Sequence, residues 1–282
     1  MRQQYILKPG DLAAFRRSLQ ARERSRATVE KYLREAEAFL QALDPGRAVT
    51  KEQVLAWKES LAQRYAVSTV NGKLAALNSL FAFLGWQDCQ TAPLRRQREL
   101  FRDQRRELTR GEYLRLVEAA LALGKERLAL LLETICATGI RVSELPFITV
   151  EAVAQGEATV KCKGKTRTIF IPAVLCKKLR RYTQRKGIQT GPVFVTRTGK
   201  ALNRSNVWRE MKALCARANV PPSKVFPHSL RHLFARCFYA IDKDISKLAD
   251  ILGHSNINTT RIYIISTGAE HRQKMERMQL IL

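Results

Sequence analysis

Apolar residues recur every three or four positions through most of the chain, the spacing that buries one face of an α-helix. In the first 90 residues this pattern predicts helices, each bounded by a proline, a glycine or a residue that can cap a helix N-terminus. They cover 9–22, 25–46, 50–65 and 68–86. Four helices of this length predict a small bundle.

The pattern changes in GEATVKCKGKTRTIFIP (156–172), where apolar and polar residues alternate. β-Branched residues on both sides of a Lys-Gly-Lys tip predict an antiparallel β-hairpin. Helical spacing precedes this segment from residue 113 and resumes after it as far as residue 266. We therefore predict a mainly α fold with a small antiparallel β-sheet, in which an N-terminal helical bundle is followed by a second, mostly helical domain.

The segment TAPLRRQRELFRDQRRELTRGEY (91–113) is rich in arginine and poor in apolar residues. It predicts an exposed linker, with a solvated helix carrying charge pairs four residues apart as the alternative. The predicted domains are residues 1–90 and 109–282, joined by a basic linker at 91–108. In either form of the linker, Arg95, Arg96 and Arg98 face water or phosphate.

Charge narrows the classes of partner. The 282 residues include 50 Lys and Arg against 25 Asp and Glu, a formal net charge of +25. Such an excess indicates a polyanionic partner: DNA, RNA or an anionic membrane surface. The chain has no apolar run of about 18 residues and no N-terminal signal-peptide core, which argues against the membrane. Six scattered cysteines without a CxxC pair suggest free thiols in a soluble, cytoplasmic protein.

Five polar clusters in the second domain carry candidate chemistry: ATGIRVSEL (137–145), the hairpin tip, HSLRH (228–232), LGH (252–254) and TTRIY (259–263). The candidate residues in them are Arg141, Lys163, His228, Arg231, His254 and Tyr263. Taken singly, each has an ordinary explanation. Arg141 could pair with Glu144, the tip lysine could be solvated, the histidines could lie at helix ends, and Tyr263 could fill the core.

Together the candidates form a coherent chemical set. Two guanidinium forks suit the non-bridging oxygens of one phosphate, and a lysine can donate a proton. Two histidines can accept or hold protons near neutral pH, and a tyrosine hydroxyl can act as a nucleophile. HSLRH spaces two histidines like a zinc helix but lacks the glutamate and a third ligand. We predict no metal and no cofactor, and phosphoryl transfer through a phosphotyrosine.

The motifs ATGIRVSEL, CKGKTR, HSLRH and DILGHSNINTTRIY, in this order, resemble the motif series of the tyrosine recombinase (phage integrase) family. The resemblance covers the second domain. The N-terminal bundle is similar to the family's SAM-like core-binding domain in helix pattern and position. The resemblance implies a metal-independent, Xer-like or mobile-element recombinase that cuts and rejoins double-stranded DNA at short inverted sites. It would do so through a 3′-phosphotyrosine and a Holliday junction.

The resemblance also implies roles. Arg141 and Arg231 would clamp the scissile phosphate, and Lys163 would protonate the departing 5′ oxygen. The remaining three would orient the phosphate or act as base (His228), hydrogen-bond the phosphate (His254) and attack it (Tyr263).

One position departs from the family pattern: Cys162 stands where the family usually has glycine, so Lys165 remains an alternative acid. Further DNA contacts are predicted at Arg95, Arg96, Arg98, Lys165 and Arg167.

The segment after Tyr263 carries an apolar stripe within residues 266–282. The family resemblance implies that this tail docks on a neighbouring protomer of a tetramer on DNA, and packing on its own domain is the alternative. Three other functions stay open at this point. They are a type IB topoisomerase-like activity, a non-catalytic site-specific DNA-binding protein and an RNA-binding helical protein. The sequence does not decide between integration, excision and dimer resolution, and it predicts a nucleoid-associated protein.

Overall fold

The computed structural model describes residues 4–43, 46, 48–95, 107–162, 165–196, 198–263 and 275–278, without the side chains of residues 9, 162 and 165. The chain divides into two compact units, Met1–Arg98 and Glu99–Leu282. Arg95 is exposed, whereas Arg96 and Arg98 lie outside the described residues. The domain and linker boundaries given above stay predictions.

The first unit is a helical bundle, as predicted. Its described helices are α1 (Pro9–Ala21), α2 (Arg26–Gln41), α3 (Lys51–Arg64) and α4 (Val67–Leu84). Thr50 and Gln53 form a reciprocal capping box at the start of α3, and Gly85 ends α4 with a φ of +77°. The apolar faces of the four helices share one core. Two short strands, β1 (Tyr5–Ile6) and β2 (Ala48–Val49), pair antiparallel beside it.

The second unit is mostly helical with one hairpin. Its described elements are α5 (Arg110–Ala122), α6 (Glu126–Thr138), a 3-10 helix (Val142–Phe147), α7 (Val150–Gln155), β3 (Glu157–Cys162), β4 (Lys165–Phe170), α8 (Ala173–Lys186), α9 (Arg204–Lys212), α10 (Cys215–Ala218), a 3-10 turn (Pro222–Lys224), α11 (Pro227–Asp242), α12 (Ile245–Leu252) and α13 (Ile257–Arg261). Helix α6 packs between α5 and α11 in a large apolar core. The predicted mainly α fold with a small antiparallel sheet is confirmed.

The hairpin has a regular register. Val160 pairs with Arg167, and the last described pair is Cys162 with Lys165. Residues 163 and 164, which connect the strands, lie outside the described residues, so the structure says nothing of Lys163. The hairpin prediction itself is confirmed.

Some elements differ from the sequence prediction. The helical spacing of residues 204–220 predicts one helix, which the structure interrupts at Ala213 and Leu214, between α9 and α10. Helix α13 starts at Ile257, two residues before the TTRIY cluster, because the side chain of Asn256 accepts a hydrogen bond from the Asn258 backbone and caps the helix there. None of the described helices is long and apolar enough to cross a membrane.

Candidate active site

The C-terminal end of α12 organises the candidate site. Three successive backbone carbonyls there each accept a hydrogen bond from a different arginine: Ile251 from Arg167 at 2.5 Å, Leu252 from Arg231 at 2.7 Å, and Gly253 from Arg141 at 3.5 Å. The last carbonyls of a helix carry its partial negative charge and lack partners within the helix. The helix end therefore holds three cations close together. We call Arg141, Arg167 and Arg231 the arginine cluster.

Glycine is required where α12 ends. Gly253 has a φ of +64°, a left-handed conformation that other residues adopt with strain. A β-carbon at this position would lie 2.5 Å from Cδ of Arg167, far inside contact distance. The glycine therefore lets the chain turn away from α12 while the stem of Arg167 crosses directly over it.

Arg231 is the most deeply buried member of the arginine cluster, with only 1% of its surface exposed. Its guanidinium donates to the carbonyl of Gly139, at the end of α6, as well as to Leu252, and it lies 3.0 Å from Nε2 of His254. Burial, followed by the charge of Arg141, lowers its pKa to about 10. The side chain still carries its charge at neutral pH.

Arg141 is the accessible member, with 36% of its side chain exposed. It forms the ion pair with Glu144 that the sequence analysis considered, with a distance of 3.0 Å between Nη1 and Oε1. Glu144 also forms an ion pair with Arg167. Burial alone would raise the pKa of Glu144. The backbone N–H of Arg141 and the guanidinium of Arg167 outweigh that effect and hold the pKa below its usual range. Glu144 is thus a buried anion that fixes two of the three arginines.

The protonation state of His254 follows from its neighbours. Burial, then the charges of Arg231, Arg141 and Arg167, lower its pKa to about 4, so the ring is neutral at physiological pH. A guanidinium can only donate, so Nε2 accepts from Arg231. The proton is therefore on Nδ1, which donates to the hydroxyl of Thr260 at 2.9 Å.

Tyr263 lies against the same helix end. The turn of α13 brings it back, and only 8% of its surface is exposed. Its ring stacks on His254 with centroids 5.5 Å apart and meets the edge of His232 at 4.3 Å. It also packs in a small apolar cluster with Leu248 and Leu252. Tyr263 is thus packed as a core residue, which was the ordinary explanation for it, and it also lies beside the arginine cluster.

His228 is an exposed residue in the otherwise buried first turn of α11, one turn before Arg231. Partial desolvation of its ring, then the charges of Arg204, Arg231 and Arg141, lower its pKa. It is therefore within the electrostatic field of the cluster.

A cleft of about 650 Å³ opens beside these residues. Its lining comes from the hairpin, the 3-10 helix and the end of α12, and includes Arg141, Glu144, Thr166, Arg167 and His254. In the described part of the chain, no group of three or more His, Cys, Asp or Glu side chains is arranged to hold a metal ion.

The structure brings together four of the six predicted catalytic residues, Arg141, Arg231, His254 and Tyr263, with His228 at their edge. Sequence reasoning missed Glu144 as a shared anion and considered His232 only as half of a metal pair. The position of His232 directly after Arg231 in the sequence was the signal that could have placed it near the site. Arg167 lines the cleft, but its guanidinium donates to Ile251 and Glu144, and 13% of the side chain is exposed. Its contact with DNA stays a prediction.

Comparisons with known proteins agree with this geometry. Residues 106–270 match the model of the phage integrase family, and residues 12–88 match the phage integrase N-terminal SAM-like domain. The chain therefore belongs to the phage integrase family of tyrosine recombinases, which carry out site-specific DNA recombination.

Within this family, the chain is similar to Xer recombinases. The chain is 30% identical to tyrosine recombinase XerA of Pyrococcus furiosus, over 96% of this chain and 94% of the relative. It is 33% identical to tyrosine recombinase XerC of Roseiflexus castenholzii, over 86% of this chain and 84% of the relative. A crystal structure of a lambda integrase dimer bound to a COC′ core site shares the fold. Its TM-score is 0.74 at 18% identity, over 90% of this chain and 94% of that one. The topoisomerase-like and non-catalytic alternatives are not favoured.

Proposed function

We propose that this recombinase cuts and rejoins duplex DNA with Tyr263 as its nucleophile. The convergence of Tyr263, His254 and Arg231 on the end of α12, with Arg141 on the adjacent carbonyl, carries the proposal. The two arginines hold the non-bridging oxygens of the scissile phosphate and stabilise the charge that develops in the transition state. Arg141 is the more exposed of the two phosphate ligands, and Arg231 is the buried one.

The covalent step forms one bond to phosphorus and breaks another. The Tyr263 oxygen forms a bond to phosphorus and gives up its proton to a base, for which His228 at the edge of the cluster is our candidate. The bond from phosphorus to the 5′ oxygen breaks, and its electron pair leaves with that oxygen. Lys163 protonates the oxygen, with Lys165 as the alternative. The product is a 3′-phosphotyrosine, which a 5′ hydroxyl from another strand attacks to rejoin DNA without ATP.

Phosphate binding must change the hydrogen bonds of His254. In the free protein Nε2 accepts from Arg231 and has no proton to donate. We propose that the phosphate draws the guanidinium of Arg231 towards itself. Its negative charge then favours a proton on Nε2, which donates to a phosphate oxygen. The hydroxyl of Thr260 can act as donor or acceptor, so it accommodates both tautomers of the ring.

We further propose that the reaction is independent of metal ions, because Arg141 and Arg231 supply the positive charge that Mg²⁺ provides in many phosphoryl transferases. The net charge of +25 supports double-stranded DNA with short inverted sites as the partner. Assembly into a tetramer through the C-terminal segment, strand exchange through a Holliday junction and a cytoplasmic, nucleoid-associated location complete the proposal. The lambda integrase that shares this fold was solved as a dimer on DNA.

The decisive experiment traps the intermediate. A suicide substrate nicked near the cleavage point should leave wild type attached to DNA through a complex that survives SDS and forms in EDTA. Tyr263→Phe should fold and bind DNA normally, because the ring still packs on His254, but should form no complex.

Two control variants accompany this test. Tyr239→Phe and Tyr182→Phe remove other hydroxyls in the same unit and should retain the adduct. Peptide mapping should place it on the peptide containing Tyr263. An adduct elsewhere, or cleavage that requires a divalent metal, would overturn the proposal.

A further inference from the structure

The side chain of Arg167 has an inward role that the proposed reaction does not use. Its Nη1 donates to the carbonyl of Ile251 at 2.5 Å, and its Nη2 is paired with the buried carboxylate of Glu144. Its Nε is buried and has no hydrogen-bond partner in the described part of the chain. With 13% of the side chain exposed, the guanidinium makes both of its described hydrogen bonds inside the unit.

Arg167 belongs to the hairpin, whereas its partners belong to other elements. It lies on β4 opposite Val160, two residues from Lys165, where the described pairing ends. Of the hairpin residues whose side chains are described, Arg167 is the one that hydrogen-bonds beyond the hairpin. Ala158, Val160 and Ile169 hold the hairpin by packing in the apolar core, and Arg167 adds a hydrogen-bonded link two residues from Lys165.

The link is tight as well as specific. The stem of Arg167 crosses Gly253 so closely that a β-carbon there would lie 2.5 Å from Cδ. Arg167 therefore joins the hairpin to the residue that precedes His254, and through Glu144 it joins the hairpin to Arg141. Three parts of the candidate site share this one side chain.

We propose that Arg167 is a positioning residue that ties β4 to α12 and Glu144, and that the proton donation proposed for Lys163 or Lys165 depends on this tie. The inference rests on the proposed function, in which that lysine protonates the departing 5′ oxygen. A general acid works only within hydrogen-bond reach of its target, about 2.6–3.2 Å. A hairpin released from its anchor leaves the lysine present but out of place.

The chemistry of the leaving group isolates this role. When the bond from phosphorus to the 5′ oxygen breaks, the oxygen needs a proton, because an alkoxide is a poor leaving group. With sulfur in the same bridging position, the electron pair leaves on a thiolate whose conjugate acid has a pKa of about 8.5. The sulfur substrate therefore needs no acid, whereas both substrates need the arginines that bind the phosphate.

The test measures single-turnover cleavage of matched oxygen and sulfur suicide substrates at saturating DNA. Arg167→Met keeps an unbranched side chain and removes the hydrogen bonds. It should slow the oxygen substrate about 100-fold, the lower range for loss of an acid–base catalyst. On the sulfur substrate the loss should be smaller by roughly tenfold or more, because that substrate needs no acid, whereas any effect of Glu144 on Arg141 falls on both substrates alike. Lys163→Met and Lys165→Met, assayed alongside, identify the acid by the same signature.

Lys161→Met is the matched control, because Lys161 is an exposed cation on the same hairpin. It should leave both substrates close to wild type. Arg167→Lys retains the charge with fewer hydrogen bonds and should show a smaller oxygen-specific defect. It also serves as the second variant if Arg167→Met fails to fold in thermal unfolding measurements.

Several results would overturn the inference. Equal slowing of both substrates by a folded Arg167 variant would place Arg167 in phosphate binding. Weaker DNA affinity with unchanged cleavage at saturation would make it a DNA contact. Failure of wild type to form a covalent complex on either substrate would instead defeat the proposed function itself. A lysine variant with the sulfur-rescued signature, beside an unaffected Arg167→Met, would defeat only the positioning role.

Discussion

Arg141 and Arg231 differ in burial, and the difference predicts different outcomes for the same substitution. Arg141→Lys keeps the charge of a side chain that is 36% exposed but loses the planar fork. It should reduce cleavage strongly while leaving the melting temperature and DNA affinity nearly unchanged. Covalent complex formation and thermal unfolding, measured on the same preparations, check this.

Arg231→Lys should reduce cleavage and stability together. Arg231 is 1% exposed and serves the carbonyls of Gly139 and Leu252 as well as His254. A lysine cannot reach these acceptors with the same geometry, and a buried acceptor left unpaired costs about 1–3 kcal/mol. Full activity in both lysine variants would show that the scissile phosphate binds elsewhere.

The low pKa of His254 predicts a pH-dependent stability. Burial and the arginines hold its pKa near 4 in the folded protein, against an ordinary value of about 6.5 in the unfolded chain. Between these values the unfolded state binds more protons. The free energy of unfolding should therefore rise with pH, by at most about 1.4 kcal/mol per pH unit from this residue.

Denaturant titrations of the DNA-free protein between pH 4.5 and 6.5 test this. His254→Gln should flatten the slope, since glutamine does not titrate. The slope that remains should include His228, whose pKa is also lowered. An unchanged slope in the glutamine variant would contradict the assignment of a neutral, Nδ1-protonated ring.

At the scale of elements, two helix ends can be compared directly. Gly139 and Gly156 both end helices with positive φ, but their surroundings differ. A β-carbon at Gly139 would lie 2.4 Å from the ring of Phe234, whereas one at Gly156 would meet nothing within 4 Å. Both alanine variants bear backbone strain of about 1–2 kcal/mol, and only Gly139→Ala adds overpacking, typically about 1–3 kcal/mol.

Equilibrium unfolding should therefore rank Gly139→Ala as clearly less stable than Gly156→Ala. The first should also lose cleavage activity, because Phe234 lies on α11 close to Arg231 and the carbonyl of Gly139 is an acceptor for that arginine. Equal destabilisation by the two alanines would show that Phe234 moves aside without cost.

Sequence periodicity predicted the longer elements and missed several of the short ones. The helices α1 to α6 span several turns each, so their apolar stripes are visible in the sequence. Helix α7 has six residues, and β1 and β2 have two each, too few to show any period. Their existence depends on packing against distant parts of the chain.

The candidate site was predictable to a similar degree and for a related reason. Short motifs identified Arg141, Arg231, His254 and Tyr263 because the motifs together form one chemical set in a recognisable order, although each residue taken singly has an ordinary explanation. The inward direction of Arg167 depends on Ile251, 84 residues away, and on Glu144, 23 residues away. Contacts across such separations leave no trace in local spacing, which explains why Arg167 resembled an ordinary hairpin cation.

At the scale of the whole molecule, the proposed assembly of protomers depends on the segment after Tyr263. Only residues 275–278 of it are described, and Met275 and Met278 are 70% and 59% exposed. If the tail docks on a neighbour, deleting residues 270–282 should leave binding of single protomers to one half-site intact and impair paired-site complexes. Native gel shifts with one and two half-sites measure both.

A second variant replaces Met275 and Met278 with glutamine in the full-length chain. It should weaken paired-site assembly in the same direction as the deletion and to a smaller extent, because the rest of the segment is retained. A truncated protein that still pairs sites and recombines would place the tail on its own domain.

The anchoring of three arginines on backbone carbonyls bears on how the site tolerates mutation. Every amino acid brings a carbonyl, so replacing the side chain of Ile251 or Leu252 leaves the acceptors in place. Only the course of the main chain must be kept, and that requirement falls on Gly253. In a library of variants across this turn, position 251 should therefore tolerate many residues, and position 252 should tolerate those that still pack in the core. Position 253 should tolerate almost none besides glycine. The most restricted position would be the one that has no side chain.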